Sequence, residues 1–112
     1  MRQRLAAAAL ALGTTAAWAQ SGDALELFVR PEKGRCIACH QLPEGVGPTT
    51  RSDVGPKLEG ARMRALGSEA LRELLHDTTR ANPDTVMPPY GRHRILEPAE
   101  IERLVQFLHA LP

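Results

Sequence analysis

Cysteine is scarce in this chain of 112 residues. Cys36 and Cys39 are the only two, so at most one disulfide could form, and the loop it closed would be too small to stabilise much. Charge of one sign is also missing. With 14 Lys and Arg against 13 Asp and Glu the net charge is +1, and there is neither the basic excess that binds nucleic acid nor a like-charge tail. Aromatic side chains are few, namely Trp18, Phe28, Tyr90 and Phe107. Strand-like alternation, internal repeats and low-complexity linkers are absent, which leaves a helical chain. A domain this small has little core to spare and usually borrows stability from a disulfide, a metal or a bound group. Something besides side chains is therefore expected to fill the interior.

No apolar run is long enough to span a bilayer as a folded helix. The N-terminal stretch is nonetheless distinctive: Arg2 and Arg4 precede an alanine- and leucine-rich run from Leu5 to Leu12, and Ala17-Trp18-Ala19 follows. That is the layout of a cleaved secretory signal. The expected organisation is a signal peptide over 1–19 and one domain over 20–112, soluble and periplasmic, with no membrane span in the mature protein. Loss of Arg2 and Arg4 turns the net charge from one positive to one negative.

Asp23 to Arg30 reads as a short helix, with Ala24, Leu27 and Phe28 at i, i+3 and i+4 and a stop at Pro31. Residues 31–60 are thick with Gly and Pro and read as loop, apart from a possible helical turn at the cysteines. Ser68 is the expected N-cap of a second helix running to about Thr79, with Leu71, Leu74, Leu75 and Thr78 on one face. A second loop spans Asn82 to Glu97, interrupted by Pro83, Pro88, Pro89 and Gly91. Pro98 suits the first position of a last helix, where Ile101, Leu104, Val105, Leu108 and Leu111 make one stripe and Leu96 can staple onto Ile101. The fold class is all-α, with about three or four short helices and long loops. Loops of that length need something large to pack on.

Cys36-Ile37-Ala38-Cys39-His40 has the spacing of a c-type haem attachment signature. Residues three apart sit on neighbouring positions of a helical turn, so both sulfurs can face one porphyrin edge and bond its vinyl groups. His40, adjacent to the second sulfur, then lies beneath the iron as its proximal ligand. Three alternatives compete. A Cys36–Cys39 disulfide gives His40 no role. A thioredoxin-like redox pair would follow a strand, and none precedes Cys36. A structural zinc site needs four ligands and would have to recruit His40 with His76, His93 or His109 at no recognised spacing. Export strengthens the haem reading, because c-type haem is attached outside the bacterial cytoplasm.

A haem iron with two protein ligands carries electrons, whereas one with a single ligand binds gases or substrates. The candidates for the sixth position are Met63, Met87, His76, His93 and His109. Met87 is preferred because Val86-Met87-Pro88-Pro89 has little conformational freedom: a residue before proline is pushed to extended backbone, and two prolines fix φ. Met63 lies between Arg62 and Arg64 and reads as a filler of surface or core. His93 is flanked by arginines, and His76 and His109 fall on or near polar helix faces. A thioether opposite an imidazole favours ferrous iron and raises the potential.

These residues together resemble the class I cytochromes c: CIACH near the N-terminus, Gly55-Pro56 followed by Leu58 and Gly60, a methionine loop and a C-terminal helix. The resemblance implies that the Pro56 carbonyl accepts the hydrogen bond from the second ring nitrogen of His40, and that the terminal helices cross beside the haem edge. Within that class, Arg80-Ala81-Asn82-Pro83-Asp84-Thr85-Val86-Met87-Pro88-Pro89-Tyr90-Gly91-Arg92-His93, with Asp53-Val54-Gly55-Pro56, is similar to the SoxX family. That likeness implies one covalently attached haem c held by Cys36 and Cys39, iron ligated by His40 and Met87, and a heterodimer with a SoxA-like subunit. In that pairing SoxA carries the catalytic haem of a thiosulfate-oxidising complex, a cysteine S-thiosulfotransferase, and the SoxX subunit passes electrons to a soluble cytochrome c. No nucleophile or base constellation in this chain argues for catalysis of its own. A freestanding mono-haem carrier is the other reading.

Overall fold

The computed structural model describes residues 23–112; the expected signal peptide over 1–19 lies outside them. Among the described residues there are four α-helices and no strand: α1 over 23–29, α2 at Gly60–Leu66, α3 at Ser68–Asp77 and α4 at Pro98–His109. The all-α expectation therefore holds. No helix among them is long and apolar enough to cross a membrane.

Helix α1 turns Ala24, Leu27 and Phe28 inward, and all three are buried. It stops where expected, with the Arg30 amide still bonded to the Glu26 carbonyl at 2.9 Å before Pro31. The ring of Phe28 meets that of Phe107 on α4 at a centroid distance of 6.3 Å, tilted by 56°. In this way the first and last helices of the described chain touch.

Helix α4 buries the whole predicted stripe, Ile101, Leu104, Val105, Leu108 and, just beyond the helix, Leu111. Each such side chain taken from water contributes about 1.5–3 kcal/mol. Pro98 sits in the first turn, Leu96 and Ile101 are both buried, and the Glu97 amide donates to Glu100 Oε2 at 2.9 Å. Glu100 also holds Lys33 Nζ, 2.8 Å from Oε1, which pins the loop ahead of the cysteines onto α4.

The stretch after Gly60, to which the sequence pattern assigns no element, is helical: α2 forms there and packs against both α3 and α4. Its start is locked by close approach rather than by a side-chain cap. Gly60 N donates to Pro112 O at 2.9 Å, Arg64 Nη1 reaches Leu111 O at 2.7 Å, and a Cβ on Gly60 would collide with the Leu111 carbonyl. Met63 is buried at 3% exposure on this helix, so it belongs to the core. One expectation needs correction: Ser68 is the first residue of α3 and not its cap. Gly67 joins α2 directly to α3 with φ +85°, a backbone a β-carbon resists, and no side chain caps the helix. Helix α3 then ends at Asp77, and Thr78–Arg80 tightens into a 3-10 turn.

Candidate haem site

Cys36–Ala38 forms a short 3-10 turn, closed by amides of Cys39 and His40 bonding to the Cys36 carbonyl at 3.1 and 2.9 Å. The residue before it, Arg35, has φ +47°, so the chain enters the turn through a left-handed step. Both cysteines are unpaired; Cys36 is buried and Cys39 half-buried. Burial pushes the Cys36 thiol up to about 11. A thioredoxin-like pair follows a strand, and among the described residues none precedes Cys36. Among the described residues there is no cluster of three or more His, Cys, Asp or Glu arranged to hold a metal.

Residues 52–58 run beside the CIACH turn and are sewn to it. Gly55 N donates to Cys39 O at 2.8 Å, Leu58 N to Gln41 O at 2.9 Å, and Gln41 Nε2 to Ser52 O at 2.8 Å. At the centre of this seam, His40 Nδ1 lies 2.8 Å from the carbonyl oxygen of Pro56. A carbonyl only accepts, so the proton sits on Nδ1 and the Nε2 lone pair is left for a metal. The imidazole also rests flat against Gly55: a Cβ there would come within 2.5 Å of His40 Cε1 and 2.8 Å of Nε2. Gly55 is thus required by close approach, not by its backbone angle.

Met87 is half-buried and packs against the core cluster that includes Cys36 and Tyr90. The loop before it folds on itself through local bonds, Thr85 N to Asn82 O at 3.1 Å, Asp84 N to Asn82 Oδ1 at 3.2 Å and Met87 N to Thr85 Oγ1 at 3.1 Å. After Met87 the chain is anchored at longer range. The Tyr90 hydroxyl donates to Gly34 O at 3.0 Å, and the amides of Gly91 and Arg92 bond to the His76 carbonyl at 3.1 and 3.0 Å, at the end of α3. Burial, and then the nearby Cys36 and Cys39, pushes the Tyr90 phenol up to about 12. Arg92 Nε sits 3.4 Å from Asp77 Oδ2, and Asp77 is itself only 5% exposed. The bond from the Thr79 hydroxyl, aided by Arg92 and His76, holds the Asp77 carboxyl below its ordinary range.

The structure therefore brings Cys36, Cys39 and His40 together on one turn with Gly55 and Pro56, and sets Met87 against the same core. It leaves His76, His93 and His109 exposed, away from that centre. Tyr90 and Gly34 escape sequence reasoning, since 56 residues separate them and no pattern links a lone tyrosine to a distant glycine carbonyl.

An all-α scaffold with a C-x-x-C-H turn and an imidazole oriented through Nδ1 defines a c-type cytochrome, a haem protein of electron transfer. Residues 26–108 match the family described as cytochrome C oxidase, cbb3-type, subunit III, and the chain belongs to that family. An uncharacterized lipoprotein of Aquifex aeolicus (strain VF5) is 28% identical over 78 residues, covering 70% of this chain and 37% of that protein. The chain thus spans little more than a third of the length of this relative. Family membership implies haem binding, and the residues present fit it: two unpaired thiols on one turn, and a histidine whose second nitrogen is already engaged.

Proposed function

We propose that this chain is a mono-haem electron carrier in which Cys36 and Cys39 form thioether bonds to one haem and His40 and Met87 ligate its iron. The observation that carries this reading is the 2.8 Å contact between His40 Nδ1 and the Pro56 carbonyl, which fixes the tautomer and aims Nε2. Held there, the haem would supply one-electron chemistry between a donor protein and an acceptor. With His40 and Met87 as its two protein ligands, the iron would be left no open position for substrate. The Pro88-Pro89 pair keeps the methionine backbone stiff, so little rearrangement accompanies each transfer.

The finer assignment rests on the Arg80–His93 run and its likeness to SoxX. On it, the chain is the electron-transfer subunit of a periplasmic SoxAX complex, takes electrons from the SoxA haem during thiosulfate oxidation and hands them to a soluble cytochrome c. The export signal read over 1–19 supports that compartment. Co-purification with a larger haem protein bearing a cysteine-ligated iron supports the finer role; recovery as a lone protein supports a freestanding carrier instead.

Expression in a haem-attaching, exporting host tests the site. The denatured chain is expected to retain haem mass and to have lost residues 1–19. The ferric protein is expected to show the weak near-infrared band of methionine-ligated haem, and Met87→Ala to abolish it. Haem lost to acidic organic solvent, or a Met87→Ala spectrum equal to wild type, overturns the respective ligand.

A further inference from the structure

Tyr90 is buried at 4% exposure, lies three residues past Met87, and bonds through its hydroxyl to the carbonyl of Gly34, two residues ahead of Cys36. Gly34 has φ +110°, and a Cβ there would run into the Tyr90 ring, so glycine both presents the carbonyl and makes room for the ring. Between Met87 and Tyr90 stand only Pro88 and Pro89, whose rings fix φ. They form a short strut, with Tyr90 N bonded back to Pro88 O at 3.0 Å. On the other side of Met87 the turn of Asn82–Thr85 bonds within itself, to the Met87 amide and to the Thr78 carbonyl, all short-range partners. The nearest long-range anchor of the methionine is therefore the tyrosine, and it fastens to the cysteine side of the site.

We propose that Tyr90 is a positioning residue for the sixth ligand, tying the Met87 loop through the Pro88-Pro89 strut to the turn that carries Cys36, Cys39 and His40. This rests on Met87 being that ligand. With the latch closed, the thioether cannot retreat without breaking a buried hydrogen bond and orphaning the Gly34 carbonyl. An external ligand must compete with methionine for the sixth position, so its apparent affinity reports how firmly the loop is held.

The test titrates the ferric haem-loaded protein with imidazole, followed by absorbance, in wild type, Tyr90→Phe, Met87→Ala and Arg64→Ala. Tyr90→Phe keeps the ring and removes only the hydroxyl. Arg64→Ala breaks the bonds from α2 to His109 O and Leu111 O at the end of the chain, loosening the fold away from the loop. Tyr90→Phe is expected to bind imidazole roughly fivefold more tightly than wild type, the loss of about one buried hydrogen bond. Arg64→Ala is expected to match wild type. If Tyr90→Phe also matches wild type while Met87→Ala binds far more tightly, methionine ligation stands and the latch is wrong. An equal rise in Tyr90→Phe and Arg64→Ala overturns the latch too, since general loosening then suffices. If Met87→Ala matches wild type, the ligand assignment falls and the latch with it.

Discussion

Gly55 shows how much a single missing side chain can decide. Its α-carbon stands where a methyl group would press on the His40 ring, while the next residue's carbonyl holds Nδ1 of the same ring. Gly55→Ala should push the imidazole off its hydrogen bond at a cost of about 1–3 kcal/mol. The expected outcome is a lower ratio of haem absorbance to protein in material purified from a haem-attaching host; an unchanged ratio and melting temperature would show that the ring has slack. At this scale much was legible beforehand. The C-x-x-C-H spacing identifies the turn, the prolines single out Met87, and the resemblance implies the Pro56 contact that the structure contains. Close approaches such as Gly55 on His40 and Gly34 on Tyr90 were not, because a glycine in sequence says that a side chain is absent without saying what takes its place.

Among the elements, α1, α3 and α4 follow their apolar spacing, and α2 is the one that sequence reasoning passes over. Gly60-Ala-Arg-Met-Arg-Ala-Leu has one large apolar residue turned inward, Met63, and no capping side chain; contacts with residues 109–112 hold its start. That is tertiary context overriding a weak local signal. The mistaken cap at Ser68 has the same origin, since the chain arrives from α2 through Gly67 alone. At the far end of α3, Asp77 bonds to Thr79 and pairs with Arg92 of the methionine loop. Its carboxyl is depressed in the folded chain, so its contribution is present above the ordinary Asp range and is lost as pH falls through the lower folded value. Asp77→Asn is therefore expected to lower the melting temperature at neutral pH, and the gap to wild type should close in strong acid. A gap that stays constant with pH would mean that the charge is not what matters.

For the whole molecule, the physical question is what holds together a domain with so few aromatics. The core is one cluster in which Phe28, Leu96, Leu104 and Val105 are the largest fully buried side chains, and it includes Cys36 itself. A haem bonded there would extend the same cluster. Cys36→Ser with Cys39→Ser, which removes both sulfurs, is expected to melt roughly 15 °C or more below the attached protein, with a parallel loss of far-ultraviolet helix signal. Equal melting curves would show that the polypeptide stands without its prosthetic group. Composition alone raises the expectation of a bound group in so small a domain; which faces would meet it is not legible, since the long loops carry no periodicity to read.

Two side chains moor the segment Tyr90–Arg92, a phenol and a carboxylate, beside the backbone bonds to the His76 carbonyl. A phenol that keeps its proton to about 12 is indifferent to acid, whereas the Asp77 tether slackens when its carboxylate is neutralised. Acid would thus slacken the ionic tether to α3 and shift the load to the tyrosine and to the amides of Gly91 and Arg92 on the His76 carbonyl.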